Sequence, residues 1–147
     1  MPGNRVLAYT LVAIQFACLI AIAISGPLVA RNPLWLAAEV GAVVLGLWAV
    51  FSARIGNFNI TPSVRAYGDL VTHGPYRFIR HPMYAALLLG CLALVANAPT
   101  WWRWALWIVL TVDLVVKLRY EEGLLAAHYP GYVDYMRQTK RLIPFIY

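Results

Sequence analysis

The sequence predicts an all-α integral membrane protein with about four transmembrane helices, a long cytoplasmic loop and a helical C-terminal tail. Three observations carry this. The 147 residues are 62% hydrophobic and 12% charged, against roughly 25% charged in an average soluble domain. The apolar residues fall into four long runs. The charges lie mostly between those runs or after them. The length suits one domain, 1–147.

The first run, 6–24, has only Gln15 as a strongly polar residue. At about 1.5 Å per residue it comes close to the roughly 30 Å of a bilayer core. Arg5 before it and Ser25-Gly26 after it also suit a signal peptide. Signal apolar cores are usually about 7–15 residues, so a retained span is the reading. The second run, 34–51, is broken only by Glu39. On it Ala38, Ala42 and Gly46 recur every fourth residue, a stripe of small side chains suited to close helix packing. The third run is 83–98 and the fourth 101–118, joined by a turn too short for anything but a helical hairpin. Cys18 and Cys91 sit inside runs and read as small core residues, not a disulfide.

Lys and Arg set the orientation. The loop 52–82 carries Arg54, Arg65, Arg77 and Arg80, and the end of the fourth run and the tail 119–147 carry Lys117, Arg119, Arg137, Lys140 and Arg141. The first short loop has Arg31 alone, and Arg103 lies just inside the fourth run. The positive-inside rule puts both termini and the long loop in the cytoplasm, probed by the cytoplasmic membrane's anionic headgroups. Trp101, Trp102 and Trp104 then form an outer interfacial belt. Net charge is +6 without a basic run or an aromatic–basic repeat, which argues against nucleic acid and for lipid as partner.

Two segments concentrate the chemistry. In "HGPYRFIRHPMY" (73–84), Gly74-Pro75 is a turn and Pro82 suits the first position of a helix, with His81 pushed out of the α region. A helix N-terminus beside Arg77, Arg80 and His81 can hold an anion, including a lipid phosphate. In the tail the fourth helix continues to His128 and stops at Pro130-Gly131, with a short helix over 132–137 and a return of 142–145 to the membrane surface. Lys117, Glu121, Leu124 and His128 share one helix face, and Asp113 lies one turn before Lys117. As a charge ladder this face contributes a few tenths of a kcal/mol per exposed pair, on the order of 0.2–0.5 kcal/mol. An ionisable residue within a span is also a functional candidate. Glu122 points about 100° away from Glu121 and is expected to pair with Arg119 or meet solvent. There is no GxGxxG, P-loop, HExxH, GxSxG or cysteine cluster. The three histidines lack a metal-ligand spacing, so no metal is expected.

"LVTHGPYRFIRHPMY" (70–84) followed by "EEGLLAAHYPGYVDYMRQTKRLIP" (121–144) resembles the isoprenylcysteine carboxyl methyltransferase family, over residues 57–145. The resemblance implies an integral-membrane enzyme that transfers methyl from S-adenosylmethionine to a lipophilic or lipidated acceptor, first a prenylcysteine-like carboxylate. It implies that Leu70, Val71 and Tyr76 line the cofactor pocket, that His81, Pro82, Met83 and Tyr84 form its wall, and that Glu121 holds a polar part of the cofactor. The family's carboxylate-binding arginine, four residues before that glutamate, is Lys117 here. For a neutral amine acceptor, Glu121 or His128 would serve as base. An Arg-His-Pro-x-Tyr is similar to that of NADPH-dependent membrane sterol reductases, the alternative enzyme. A non-enzymatic membrane scaffold is the third reading.

Overall fold

The computed structural model describes residues 5–53 and 70–147. These form α1 (Arg5–Ile24), α2 (Pro33–Ala53), a 3-10 turn (Gly74–Arg77), α3 (Pro82–Asn97), α4 (Trp101–His128) and α5 (Tyr132–Gln138). Arg54, Arg65 and the rest of 54–69 in the expected catalytic loop lie outside the described residues.

The expected runs 6–24 and 34–51 fall inside α1 and α2, the two helices among the described residues that are long and apolar enough to cross a membrane. α3 is apolar over 16 residues, about 24 Å at 1.5 Å per residue. α4 carries Arg103, Asp113 and Lys117 in its first eighteen residues, and all three turn inward, 1%, 5% and 2% exposed. What faces out is apolar: Ile20, Val43, Phe51, Ile108 and Val112 are each more than half exposed. Polar inside and apolar outside inverts the soluble pattern, and the chain has the fold of an all-α membrane protein.

α1 packs on α4, α2 packs on α3, and α3 also meets α1 and α4. Cys18 and Ile22 of α1, Cys91 and Val95 of α3, and Leu110 and Leu114 of α4 form one buried cluster. Both cysteines are free thiols, as expected. The small-residue stripe works as packing. A methyl added at Gly90 would touch Ala42 Cβ at 3.5 Å, and one at Gly46 would touch Ala86 Cβ at 3.5 Å. α2 and α3 therefore run antiparallel in close register.

One end of the bundle is closed by Arg103. Its guanidinium donates to the carbonyls of Leu94 at 3.0 Å, Ala98 at 3.1 Å and Ile22 at 3.4 Å. These are the last carbonyls of α3 and α1, which have no partner within their own helices. Any side chain at Gly26 would run into that guanidinium. Of the expected tryptophan belt, Trp101 is 84% and Trp102 37% exposed. Trp104 differs: it packs edge-on to Trp107 against the core, because positions three apart share the inward face.

The other end is closed by the tail. α4 runs to His128 and α5 follows Gly131, as the Pro-Gly break predicts. The chain then turns back beneath the start of α3. Lys140 N–H donates to Phe78 O at 3.2 Å, Arg80 N–H to Lys140 O at 2.7 Å and His81 N–H to Arg141 O at 3.0 Å. The 3-10 turn sits against α2. Gly74 has φ +63°, and a Cβ there would also collide with Ser52, so this position requires glycine.

Candidate functional site

Pro82 begins α3, and His81 before it takes φ −123°, ψ 58°, outside the α region. The sharp entry delivers Arg80 and His81 against the C-terminal half of α4. Arg80 Nε donates to Glu122 Oε1 at 2.7 Å, and its Nη1 donates to the carbonyls of Thr139 at 2.5 Å and Met136 at 3.1 Å. Arg141 Nε donates to the other carboxylate oxygen of Glu122 at 2.9 Å. One buried carboxylate thus ties α4, the start of α3 and the tail together. Glu122 lies beyond the expected span 101–118. Burial raises its pKa, but its His81, Arg80 and Arg141 neighbours outweigh burial and bring it down to about 2. His81 Nε2 stands 3.5 Å from Glu122 Oε1 and has no hydrogen-bond partner among the described residues. The two arginines therefore supply most of that lowering.

This overturns the pairing expected from the sequence. Glu122 meets neither Arg119 nor solvent, because the folded-back tail brings Arg141 beneath it. Arg80 is 9% exposed, engaged with Glu122 and part of the cavity lining. Of the two described arginines of that loop, Arg77 is the exposed one, 5.9 Å from the Phe78 ring centroid.

Glu121 projects the other way, into a cavity. Tyr84 Oη donates to its Oε1 at 2.5 Å, and His81 Nδ1 lies 3.7 Å from its Oε2. Burial pushes its pKa up, opposed by His81, the Tyr84 bond and Lys117. Adjacent carboxyl groups are thus driven in opposite directions, the mark of two different jobs. His81 and Tyr84 stack with centroids 5.5 Å apart and planes within 2°. Tyr76 joins from the 3-10 turn, held by Tyr135 Oη, which donates to the Tyr76 carbonyl at 2.6 Å. Burial, then the Glu121 charge, pushes the Tyr76 phenol up to about 12, so at neutral pH it remains a donor.

The cavity holds about 1070 Å³ and is walled by α1, α2, α3 and the C-terminal half of α4. Its body is aliphatic, with Leu19, Val43, Val44, Leu87 and Leu94 among its walls. Of the residues singled out in the sequence, Tyr76, His81, Pro82, Met83, Tyr84, Lys117 and Glu121 line it together at one end. Leu70 and Val71 are half-buried outside its lining. Leu124 lines it, whereas His128 is exposed and meets Tyr129 edge-on. Lys117 Nζ donates to Gln15 Oε1 at 2.8 Å and lies 5.2 Å from the Tyr84 ring centroid. Among the described residues there is no group of three or more His, Cys, Asp or Glu suited to a metal.

Sequence reasoning missed three roles. Gln15 was visible as the lone polar residue of its span, a signal that such a residue faces a partner inside. Glu122 gave no local signal, since its partners come from distant segments, and Arg103 gave none because its partners are backbone carbonyls.

Residues 34–131 match the family model described as phospholipid methyltransferase. The chain is 32% identical over 108 residues to the cobalt-zinc-cadmium resistance protein CzcN of Cupriavidus metallidurans, covering 69% of this chain and 49% of that protein. It is 30% identical over 114 residues to the nickel-cobalt-cadmium resistance protein NccN of Alcaligenes xylosoxydans xylosoxydans, covering 75% and 52%. The chain spans about half the length of the curated relatives it matches. The matched stretch takes in all but the first residue of α2, the described part of the loop, α3 and all of α4, and so most of the polar end of the cavity. The chain belongs to the phospholipid methyltransferase family, which includes membrane methyltransferases of the isoprenylcysteine carboxyl type.

Proposed function

We propose that this chain is an S-adenosylmethionine-dependent membrane methyltransferase acting on a lipophilic acceptor, with a prenylcysteine-like carboxylate as first candidate. The observation that carries the reading is the joining of one polar end, built by Tyr76, His81, Tyr84, Lys117 and Glu121, to an aliphatic cavity between the helices. A charged cofactor and a greasy substrate require such a junction.

The residues fit the cofactor. Glu121 offers a half-buried carboxylate to an ammonium or a ribose hydroxyl. The start of α3 has no side-chain cap, leaving the Met83 and Tyr84 N–H groups for an anionic end. Bound there, S-adenosylmethionine supplies an electrophilic methyl group, so no covalent nucleophile is asked of the protein. The chain's work is to align the acceptor and exclude water. Tyr84 and His81 fix Glu121 in place. Lys117 offers a cation to an acceptor carboxylate. Such a carboxylate is already nucleophilic; a neutral amine would pass its proton to Glu121, which faces the cavity where His128 does not. The polar end and both termini face the cytoplasm, supported by the Lys and Arg distribution.

The test is a thermal-shift measurement on purified protein. S-adenosylhomocysteine at 100 times its dissociation constant should add about 2.7 kcal/mol, and NADPH should add nothing. A shift with NADPH alone, or with neither, overturns the reading. Methyl transfer from labelled cofactor to a panel of lipophilic carboxylates, thiols, amines and membrane phospholipids then identifies the acceptor. Only thiols or amines being methylated would remove the carboxylate and keep the methyltransferase.

A further inference from the structure

Lys117 reaches the cavity wall paired with a residue from another helix. Its Nζ donates to Gln15 Oε1 at 2.8 Å, and both residues line the cavity. An ammonium only donates, so the amide oxygen must face it and the Nε2 amino group points elsewhere. Gln15 is 6% exposed and lines the cavity. An amide N–H in an apolar surround is costly unless something accepts from it.

We propose that Gln15 and Lys117 together form a two-pronged donor for the anionic head of the acceptor, which makes Gln15 a specificity-determining residue. The inference rests on the carboxylate reading above. A lysine alone is a point charge and cannot grip both oxygens of a planar carboxylate in fixed geometry. The hydrogen bond from Lys117 sets the Gln15 amide beside the ammonium, so N–H donors from α1 and α4 converge as those of one guanidinium do. Tyr84 touches both this pair and Glu121. Lys117 lies 5.2 Å from the Tyr84 ring centroid, while the Tyr84 hydroxyl is engaged with Glu121. The pocket thus has an anion-accepting pole at Gln15–Lys117 and a cation-accepting pole at Glu121. Asp113, one turn along α4, is buried outside the cavity lining. The acceptor head would enter beside α1, with its chain among the aliphatic walls.

The test makes Gln15→Met in the wild type and in Lys117→Arg. Three quantities are read: the KM for a prenylcysteine carboxylate, the inhibition constant of its neutral amide, and the thermal shift with S-adenosylhomocysteine. Gln15→Met should raise the carboxylate KM about 10-fold, as expected for a lost charge-assisted hydrogen bond. The amide's constant should stay within about 2-fold and the cofactor shift should persist. In Lys117→Arg, which brings its own fork, the same substitution should cost less than about 3-fold. Equal losses for carboxylate and amide, equal losses in both backgrounds, or no loss at all would overturn the pair. A size-matched Gln15→Glu should abolish carboxylate binding, by spending the ammonium on a new ion pair, while the cofactor shift remains. If instead the unmodified protein shows the cofactor shift and methylates only thiols or amines, the carboxylate reading fails first, before any variant is made.

Discussion

The two ends of the bundle are each closed by a buried arginine, and they differ in what the arginine touches. Arg103 spends its guanidinium on three backbone carbonyls, with no ion-pair partner among the described residues. Arg80 binds the Glu122 carboxylate as well as two carbonyls, and Arg141 completes the grip. At the Arg103 end the cation only finishes helix ends. At the Arg80 end a satisfied carboxylate carries, one residue before it in the helix, a second carboxylate aimed into the cavity. Rigid scaffolding and a working group are set side by side, and a scaffold of this kind is what holds a site to the fraction of an ångström that alignment demands.

The sharpest way to break this contrast is to remove each arginine. Arg80→Met leaves the Glu122 charge buried with half its partners, and should cost about 3–5 kcal/mol of stability. Arg103→Met strips bonds from carbonyls without orphaning a charge, and should cost about 1–3 kcal/mol. Denaturant or thermal unfolding in detergent measures both, and a larger loss at Arg103 would reverse the ranking.

Acid should separate the ends next. Glu122 is lowered from an ordinary carboxyl value to about 2 in the folded chain. A depressed folded pKa contributes stability that is present in full above the unfolded value, near pH 4.5, and is lost as pH falls towards about 2. The shift corresponds to about 3 kcal/mol. Glu122→Gln should flatten the unfolding profile across that window, and Arg103→Met should leave its slope unchanged. A smaller effect is expected at Lys117. Lys117→Met should raise the KM of a carboxylate acceptor by about 10-fold, and Lys117→Arg should keep or improve activity. Smallest of all, Trp101→Ala on the exposed rim should change stability by less than about 0.5 kcal/mol.

Much of this was legible beforehand because each signal is local. Apolar runs give helices, Pro82 fixes where α3 begins, and Pro130-Gly131 fixes where α4 ends. The face shared by Lys117, Glu121 and Leu124 follows from helical period alone, and all three line the cavity. His128 lies on the same wheel yet outside the cavity, because the helix runs on past the wall that α3 provides. Glu122 was misread for a related reason. Periodicity says which way a side chain points, but not what a tail nineteen residues later will bring there. Gln15 was likewise seen as a polar interruption of an apolar run, while its partner Lys117 lies 102 residues away; Arg103 reaches carbonyls 5, 9 and 81 residues before it, and a backbone carbonyl leaves no mark in a sequence.

The central claim is that Glu121 serves the ligand and Glu122 serves the scaffold. The direct measurement is the melting temperature of the wild type, Glu121→Gln and Glu122→Gln, each with and without saturating S-adenosylhomocysteine. Glu121→Gln is expected to melt near the wild type and to lose most of the ligand-induced shift. Glu122→Gln is expected to melt lower without ligand and still to shift when ligand is added. The reverse pattern, or equal loss of the shift in both variants, would contradict the assignment.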